Sequence, residues 1–229
     1  MTTFSEGTRL SAEEARVVGA LAEKQLATPD YYPLTLNALV NACNQISNRD
    51  PVVSYDERTV AAAIESLRAQ GLAREVRTAD GRVPKYRHVL DEALGLSKAE
   101  LALLCVLLLR GTQTPGELRG RTERLYPFSG TQFVESALEG LMSREGRAPL
   151  VVKLPRAAGQ KESRYAQLLT GEVKFEEQEA TAGAGAATTA RASRVDGERV
   201  ARLEEELGAL RAELEGLREQ FAEFKRQFE

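Results

Sequence analysis

The 229-residue chain has no tryptophan, two cysteines, two methionines and one histidine, and aromatic residues make up only 6% of it. His88, Cys43 and Cys105 cannot between them supply the three or four ligands of a transition-metal site. Both cysteines sit in apolar text at helical spacing and read as reduced thiols serving as small core residues. His88 lies in hairpin text apart from either cysteine, which removes a Cys–His nucleophile pair. No glycine-rich phosphate loop follows a strand, and there is no nucleophile elbow. The many carboxylates fall on helix faces that read as solvated. The expectation is a protein that is not an enzyme and holds no cofactor or metal.

Long apolar runs are also missing. The longest, Leu101 to Leu109, is nine residues, against the ~18–20 needed to span a bilayer. The opening MTTFSEGTRL has no basic stretch leading into an apolar core. A cytoplasmic protein without membrane contact is expected. Positive charge is scarce as well, with 31 Lys/Arg against 34 Asp/Glu. Residues 1–96 carry a net −2, residues 97–171 a net +4 and residues 172–229 a net −5. Any nucleic-acid surface must therefore be local.

What is present is a pattern. The 42% hydrophobic content over this length suits one or two compact cores. Ser11-Ala-Glu-Glu14 matches a capping box, and Ala15, Val18, Ala22 and Leu26 continue it as an apolar stripe up to Thr28-Pro29. Leu36, Leu39, Val40 and Cys43 predict a second short helix. A polar run, Asn44 to Asp50, leads to Pro51, and Ser54 or Asp56 can cap a third helix carrying Val60, Ile64 and Leu67. Leu72–Thr78 and Val83–Val89 flank Ala79-Asp80-Gly81-Arg82, whose Asp-Gly is a hairpin signal.

The order then repeats. The nineteen residues from Ser11 to Pro29 align without gaps to those from Ser97 to Pro115, both beginning S-x-x-E and ending in Thr-Pro. Thr114-Pro115-Gly116-Glu117 starts a short helix, Gly130 to Arg144 a third with Val134, Leu138 and Leu141, and residues 150–154 and 163–169 a second hairpin. From Pro to the next helix-starting Ser, repeat one takes eleven more residues than repeat two, an excess that falls in the interval containing Asn41 to Asp50.

Three helices and a hairpin, twice over, predict a mainly α fold with small β-hairpins: two tandem winged-helix domains, at 8–92 and 95–171. The text EARVVGALAEKQLATPDYYPLTLNALVNACNQISNRDPV, from Glu14, and LLLRGTQTPGELRGR, from Leu107, closely resembles the YceH-like family of bacterial proteins. That resemblance covers roughly residues 10–170. It implies a tandem winged-helix fold and a cytosolic setting, and brings no catalytic residues with it.

Residues 172–197, rich in Ala, Gly, Thr and charge, read as a flexible linker. In 198–229, Val200, Leu203, Leu207, Leu210, Leu214, Leu217, Phe221, Phe224 and Phe228 alternate spacings of three and four, the seam of a coiled coil that would make a homodimer. The g-to-e′ pairs Arg199–Glu204, Glu206–Arg211 and Glu213–Arg218 agree with a parallel pair. A single amphipathic helix folded back on the body is the alternative.

A winged helix invites the question of double-stranded DNA. The text around the third helices is acidic: Ser54–Gln70 has a net −1 and Gly130–Glu145 a net −2, poor partners for phosphate. Each hairpin text has a net +3. Candidate contacts are therefore Arg58 on the first third helix, Arg74, Arg77, Arg82, Lys85 and Arg87 on the first hairpin, and Lys153, Lys161 and Arg164 on the second. Arg119 and Arg121 flank the second short helix, in a basic group with Arg110 and Arg124. Asn44, Asn48 and Arg49 form a dense polar cluster, either a recognition surface or side chains that satisfy backbone groups across a helix break. The function expected is a DNA-associated regulator or architectural factor, with a protein-interaction adaptor as the competing reading and its protein partner open.

Overall fold

Both expected capping boxes form, and they start the two helices around which the chain is built. The computed structural model describes residues 9–76, 83–156 and 162–171. In α1, Ala12–Ala27, the Ser11 hydroxyl accepts from the Glu14 N–H while the Ser11 N–H donates to the Glu14 carboxylate at 2.7 Å. In α5, Lys98–Arg110, Ser97 and Glu100 repeat the exchange at 2.8 Å. Each box satisfies N–H groups that a helix start leaves without partners.

The described residues are mostly helical, with two small antiparallel sheets. After α1 come a 3₁₀ turn, Pro29–Tyr31, and β1, Leu34–Thr35. Helix α2, Leu36–Cys43, is capped by the Thr35 side chain, and α3, Glu57–Ala69, by Asp56 rather than Ser54. Strands β2, Ala73–Val76, and β3, Lys85–His88, pair antiparallel, and β1 adds to β3, giving the order β1-β3-β2. Helix α4, Leu90–Leu94, precedes α5. The second series is α6, Pro115–Thr122, α7, Thr131–Met142, and the pair β4, Val151–Lys153, and β5, Tyr165–Gln167. The peptide bonds preceding Pro33 and Pro51 are cis.

The two series pack back to back. Every residue from Leu101 to Leu109 is buried, so α5 is enclosed all round, as a helix apolar on every face must be. Part of that cover is α1. Gly19 lies where its carbonyl oxygen is 3.4 Å from the Cys105 sulfur, and these two residues occupy the same place in the ungapped alignment of the repeats. The two helices therefore meet at equivalent points of the two repeats. A Cβ on Gly19 would lie 3.0 Å from Leu109 Cδ2, so glycine sets how closely α1 and α5 approach. One continuous core results, from Leu21, Leu39 and Ile64 in the first repeat to Leu107, Leu118 and Leu138 in the second. Both thiols are free and buried; burial pushes that of Cys43 up to about 12 and that of Cys105 well above its ordinary range.

The structure corrects the alignment beyond these helices. Thr114 caps α6 as Thr35, not Thr28, caps α2. Leu34 pairs with Tyr86 as Gln113 bridges to Tyr165. Gly19 and Thr35 are sixteen positions apart, whereas Cys105 and Thr114 are nine apart; the caps Thr35 and Asp56 are twenty-one apart, whereas Thr114 and Gly130 are sixteen apart. The extra length of the first repeat is thus divided into seven residues before α2, which carry the 3₁₀ turn, and five after it. Strand β1 and helix α4 are additions to the expected elements. Helix α4 buries Leu90 and Leu94 and ends at Gly95 with φ 65°; its last carbonyl, that of Leu94, accepts from Arg147 Nη1 at 2.7 Å and from Arg144 Nη2. Cations at a helix C-terminus offset the negative end of its dipole.

Candidate functional site

The loop from Asn44 to Val53 is shaped from inside by two arginines. Arg16, on α1, is 4% exposed; its Nη1 donates to the Cys43 carbonyl at 3.2 Å and its Nη2 to the Pro51 carbonyl at 2.5 Å. Burial first, and Arg49 next, hold its guanidinium below the ordinary arginine range. Arg49 meets Glu23 in a fork, Nη2 to Oε2 at 2.6 Å and Nη1 to Oε1 at 3.0 Å, and also donates to the Ala42 carbonyl and to Gln45 Oε1. The expectation that Arg49 presents to a partner is corrected: its side chain is 0% exposed. Asn44 is likewise turned inward, donating to the Tyr55 carbonyl and accepting from the Tyr55 N–H, both at 2.8 Å. The polar cluster serves the backbone across the helix break, and Arg16, with no signal beyond its place in an apolar stripe, serves it too. Asn48 is exposed, in the left-handed region at φ 59°, and its side-chain oxygen accepts from Arg110 Nη1 at 2.9 Å.

The outer surfaces differ from the hairpin-led contact expected. Arg58 is exposed on α3, where Glu57 and Glu65 are exposed as well. On the first hairpin, Arg87 pairs with Glu92 at 2.7 Å and Arg74 with the same carboxylate at 3.6 Å. Those two cations are thereby partly neutralised, and Lys85 is half-buried on β3. Arg77, Arg82 and Lys161 lie outside the described residues. So do the linker and the seam from Val200 to Phe228. On the second hairpin Lys153 is exposed, with Nζ 5.9 Å from the Tyr165 ring centroid. Helix α7 buries Val134, Leu138 and Leu141 and turns Gln132, Phe133, Glu135, Ser136 and Glu139 outward, with Phe133 53% exposed.

Three of the expected contacts do converge, though not on a hairpin tip. Where the first repeat's loop reaches the second repeat, the Asp50 N–H donates to the Leu109 carbonyl at 2.9 Å. Beside that contact a cleft of about 440 Å³ is lined by Asp50, Arg110, Gln113, Glu117, Arg121 and Arg164. Glu117 Oε2 is 3.3 Å from Arg164 and Glu117 Oε1 is 3.8 Å from Arg121. Arg164 also donates to the Thr112 carbonyl at 2.9 Å. Asn48 joins the cleft through its bond to Arg110, whereas Arg58, Arg119 and Lys153 do not line it. Asp50 and Gln113 went unrecognised in the sequence, because each reads as a residue of a Pro- or Gly-bounded turn. Among the described residues no group of His, Cys, Asp and Glu could hold a metal ion, and no helix is long and apolar enough to cross a membrane.

The comparisons with known proteins agree on kinship. The family model described as "Protein of unknown function, DUF480" matches residues 10–160. A UPF0502 protein of Pelobacter propionicus is 52% identical over 221 residues, covering 96% of this chain and 98% of that protein. A UPF0502 protein of Geobacter sulfurreducens is 51% identical over 222 residues, 96% of this chain and 98% of the relative. One from Koribacter versatilis is 56% identical over 160 residues, 70% of this chain and 73% of the relative. The first two matches run on past residue 171, into the segment that the YceH-like resemblance did not reach. With two thirds of its length under the family model and relatives above 50% identity along nearly the whole chain, it belongs to the DUF480, or UPF0502, family of bacterial proteins.

Proposed function

We propose that this chain is a cytoplasmic, non-enzymatic protein built on two tandem winged helices, and that it acts as a protein-interaction adaptor. The observation that carries the reading is the outward face of α7. A DNA-reading helix in this position would need donors and positive charge. This one offers Glu135, Glu139 and the exposed ring of Phe133. An exposed aromatic anchor on a helix whose outward face also carries carboxylates suits a partner protein with an apolar pocket and a basic surface beside it. The buried Arg49 and the Glu92-paired Arg74 and Arg87 also withdraw cations from the DNA reading. DNA association is the second reading, supported by exposed Arg58, Arg119 and Lys153.

One pair of measurements separates the two. A photo-crosslinking residue in place of Phe133 should yield one discrete adduct in cells, lost when Glu135 and Glu139 become lysine. The same residue in place of Arg119 should not yield it. Fluorescence anisotropy with mixed-sequence duplex DNA should show no binding even at low salt. Binding that weakens steeply with salt and is lost on neutralising Arg58, Arg119 and Lys153, with no Phe133 adduct, would overturn the adaptor in favour of DNA. The sequence of 198–229 adds self-association through a coiled coil to this reading. Sedimentation of the full chain against a chain ending at Val173 should give a dimer and a monomer; monomers in both remove the coiled coil.

A further inference from the structure

We propose that the cleft between the Asn44–Val53 loop and the second repeat binds the phosphate of a small phosphomonoester. Its lining brings three guanidinium groups, Arg110, Arg121 and Arg164, against two carboxylates, Asp50 and Glu117. One positive charge is left over. Arg121 and Arg164 share Glu117, whereas no carboxylate lies within ion-pair distance of Arg110 among the described residues. Burial first, then Arg121, holds the Arg110 guanidinium below the ordinary arginine range, an effect that an anion would relieve.

The second observation concerns Gln113, which is 3% exposed and lies beneath this cleft. Its counterpart in the first repeat, facing the equivalent tyrosine, is Leu34, an ordinary core residue. Substituting an amide for a leucine inside a core is unfavourable unless both ends of the amide are used. The Gln113 Nε2 donates to the Arg110 and Thr112 carbonyls at 3.1 and 2.8 Å, which fixes the amide's orientation and directs Oε1 elsewhere. Among the described residues that Oε1 has no hydrogen-bond partner, and neither has the buried Nε of Arg110. The wall thus holds an unmet acceptor, an unmet donor and surplus positive charge.

That combination selects the ligand chemistry. A planar carboxylate is satisfied by a single guanidinium fork, whereas a tetrahedral phosphate presents oxygens in several directions and can engage more than one. Gln113 Oε1 requires a donor, which a protonated phosphate oxygen or a hydroxyl next to the ester supplies. A volume of about 440 Å³ falls in the range of small-molecule sites and leaves room beyond the phosphate itself. Repeat one's extra residues after α2 supply Asp50 and Asn48 at this place, so occupancy would bridge the two repeats.

The proposal stands apart from the adaptor reading and is tested by isothermal titration of the full chain with inorganic phosphate, AMP and adenosine. AMP and phosphate should compete for one site per chain, and adenosine should give no heat. Arg110→Gln should weaken AMP about tenfold or more, and Arg121→Gln should do the same, which decides the matter if Arg110→Gln does not fold. Arg119→Gln, on the same helix as Arg121 but outside the cleft, should leave the affinity unchanged. No binding of phosphate or AMP at about 10 mM overturns the proposal. Adenosine binding as tightly as AMP also overturns it, as does equal weakening by Arg119→Gln and Arg110→Gln. Binding confined to a 5′-phosphorylated oligonucleotide, with AMP inert, would place a nucleic-acid surface here instead.

Discussion

The two repeats begin alike and then diverge in where they put polar groups. Each starts with a Ser–Glu capping box, and their first helices cross at equivalent positions, Gly19 and Cys105. From there the first repeat spends seven extra residues on a 3₁₀ turn and a third strand, and five more on a loop after α2. It holds that loop with buried Arg16 and Arg49. The second repeat has neither addition; it buries Gln113 where the first has Leu34, and gathers half-buried arginines around it. The difference teaches that the paired helices are the fixed scaffold, since both halves of the core depend on their spacing. The connections after them are free to change, and the distinctive chemistry of the molecule is found there.

The comparison breaks most sharply at Arg49. Removing one partner of an enclosed ion pair leaves the other charge without compensation, which costs about 3–5 kcal/mol. Arg49→Ala should lower stability to unfolding by that order, because Glu23 and the Ala42 carbonyl lose their donor together. Arg119→Ala on the exposed face of the second repeat should change it by less than about 0.5 kcal/mol. Urea titrations of both variants check this. Equal effects would mean that the fork at Arg49 does not hold the loop.

How far these features were legible in the sequence follows from the range of the forces behind them. The capping boxes, the apolar stripes and the hairpins are local, and Ser11, Ser97, Val60, Ile64 and Leu67 announced them through spacing alone. Strand β1 was not announced, because two residues after a proline carry no period; only their pairing with Tyr86 and Lys85 makes Leu34 and Thr35 a strand. Helix α4 is five residues long and is stabilised by Arg144 and Arg147, some fifty positions away. The polar cluster was noticed for its density, but whether it faced outward or served the backbone stayed open, because nothing local shows that Glu23, about one helical turn from the Gly19 crossing, stands opposite Arg49. Arg121 and Arg164 were expected as separate surface contacts, one on a short helix and one on a hairpin; that they share Glu117 is a tertiary fact. The cleft itself arises where one repeat meets the other, and no window along the chain contains it.

A smaller effect sharpens the contrast between the hairpins. His88 ends β3 in the first repeat, and with Tyr86 matched to Tyr165 its counterpart in the second is Gln167. The ring is 1% exposed, and burial is the main cause that lowers its pKa from 6.5 to about 4, against the pull of Asp91 at 3.8 Å and with a smaller push from Arg87. Geometry gives the same direction independently: Nδ1 accepts from the Leu90 N–H at 3.2 Å, so the neutral ring carries its one proton on Nε2, and a second proton could enter only at Nδ1, against that N–H. The folded state therefore prefers neutral His88, while the unfolded chain binds a proton below about pH 6.5. Stability from this group is complete above that point and is lost as pH falls toward the folded value. Over the span from about pH 8 to about pH 5 the loss is about 2 kcal/mol. His88→Gln, which installs the residue of the second repeat and keeps an acceptor for Leu90, should flatten the decline over that span. Unfolding free energies of the two proteins measured across it decide the point: parallel curves would show that the acid sensitivity arises elsewhere than in the first hairpin.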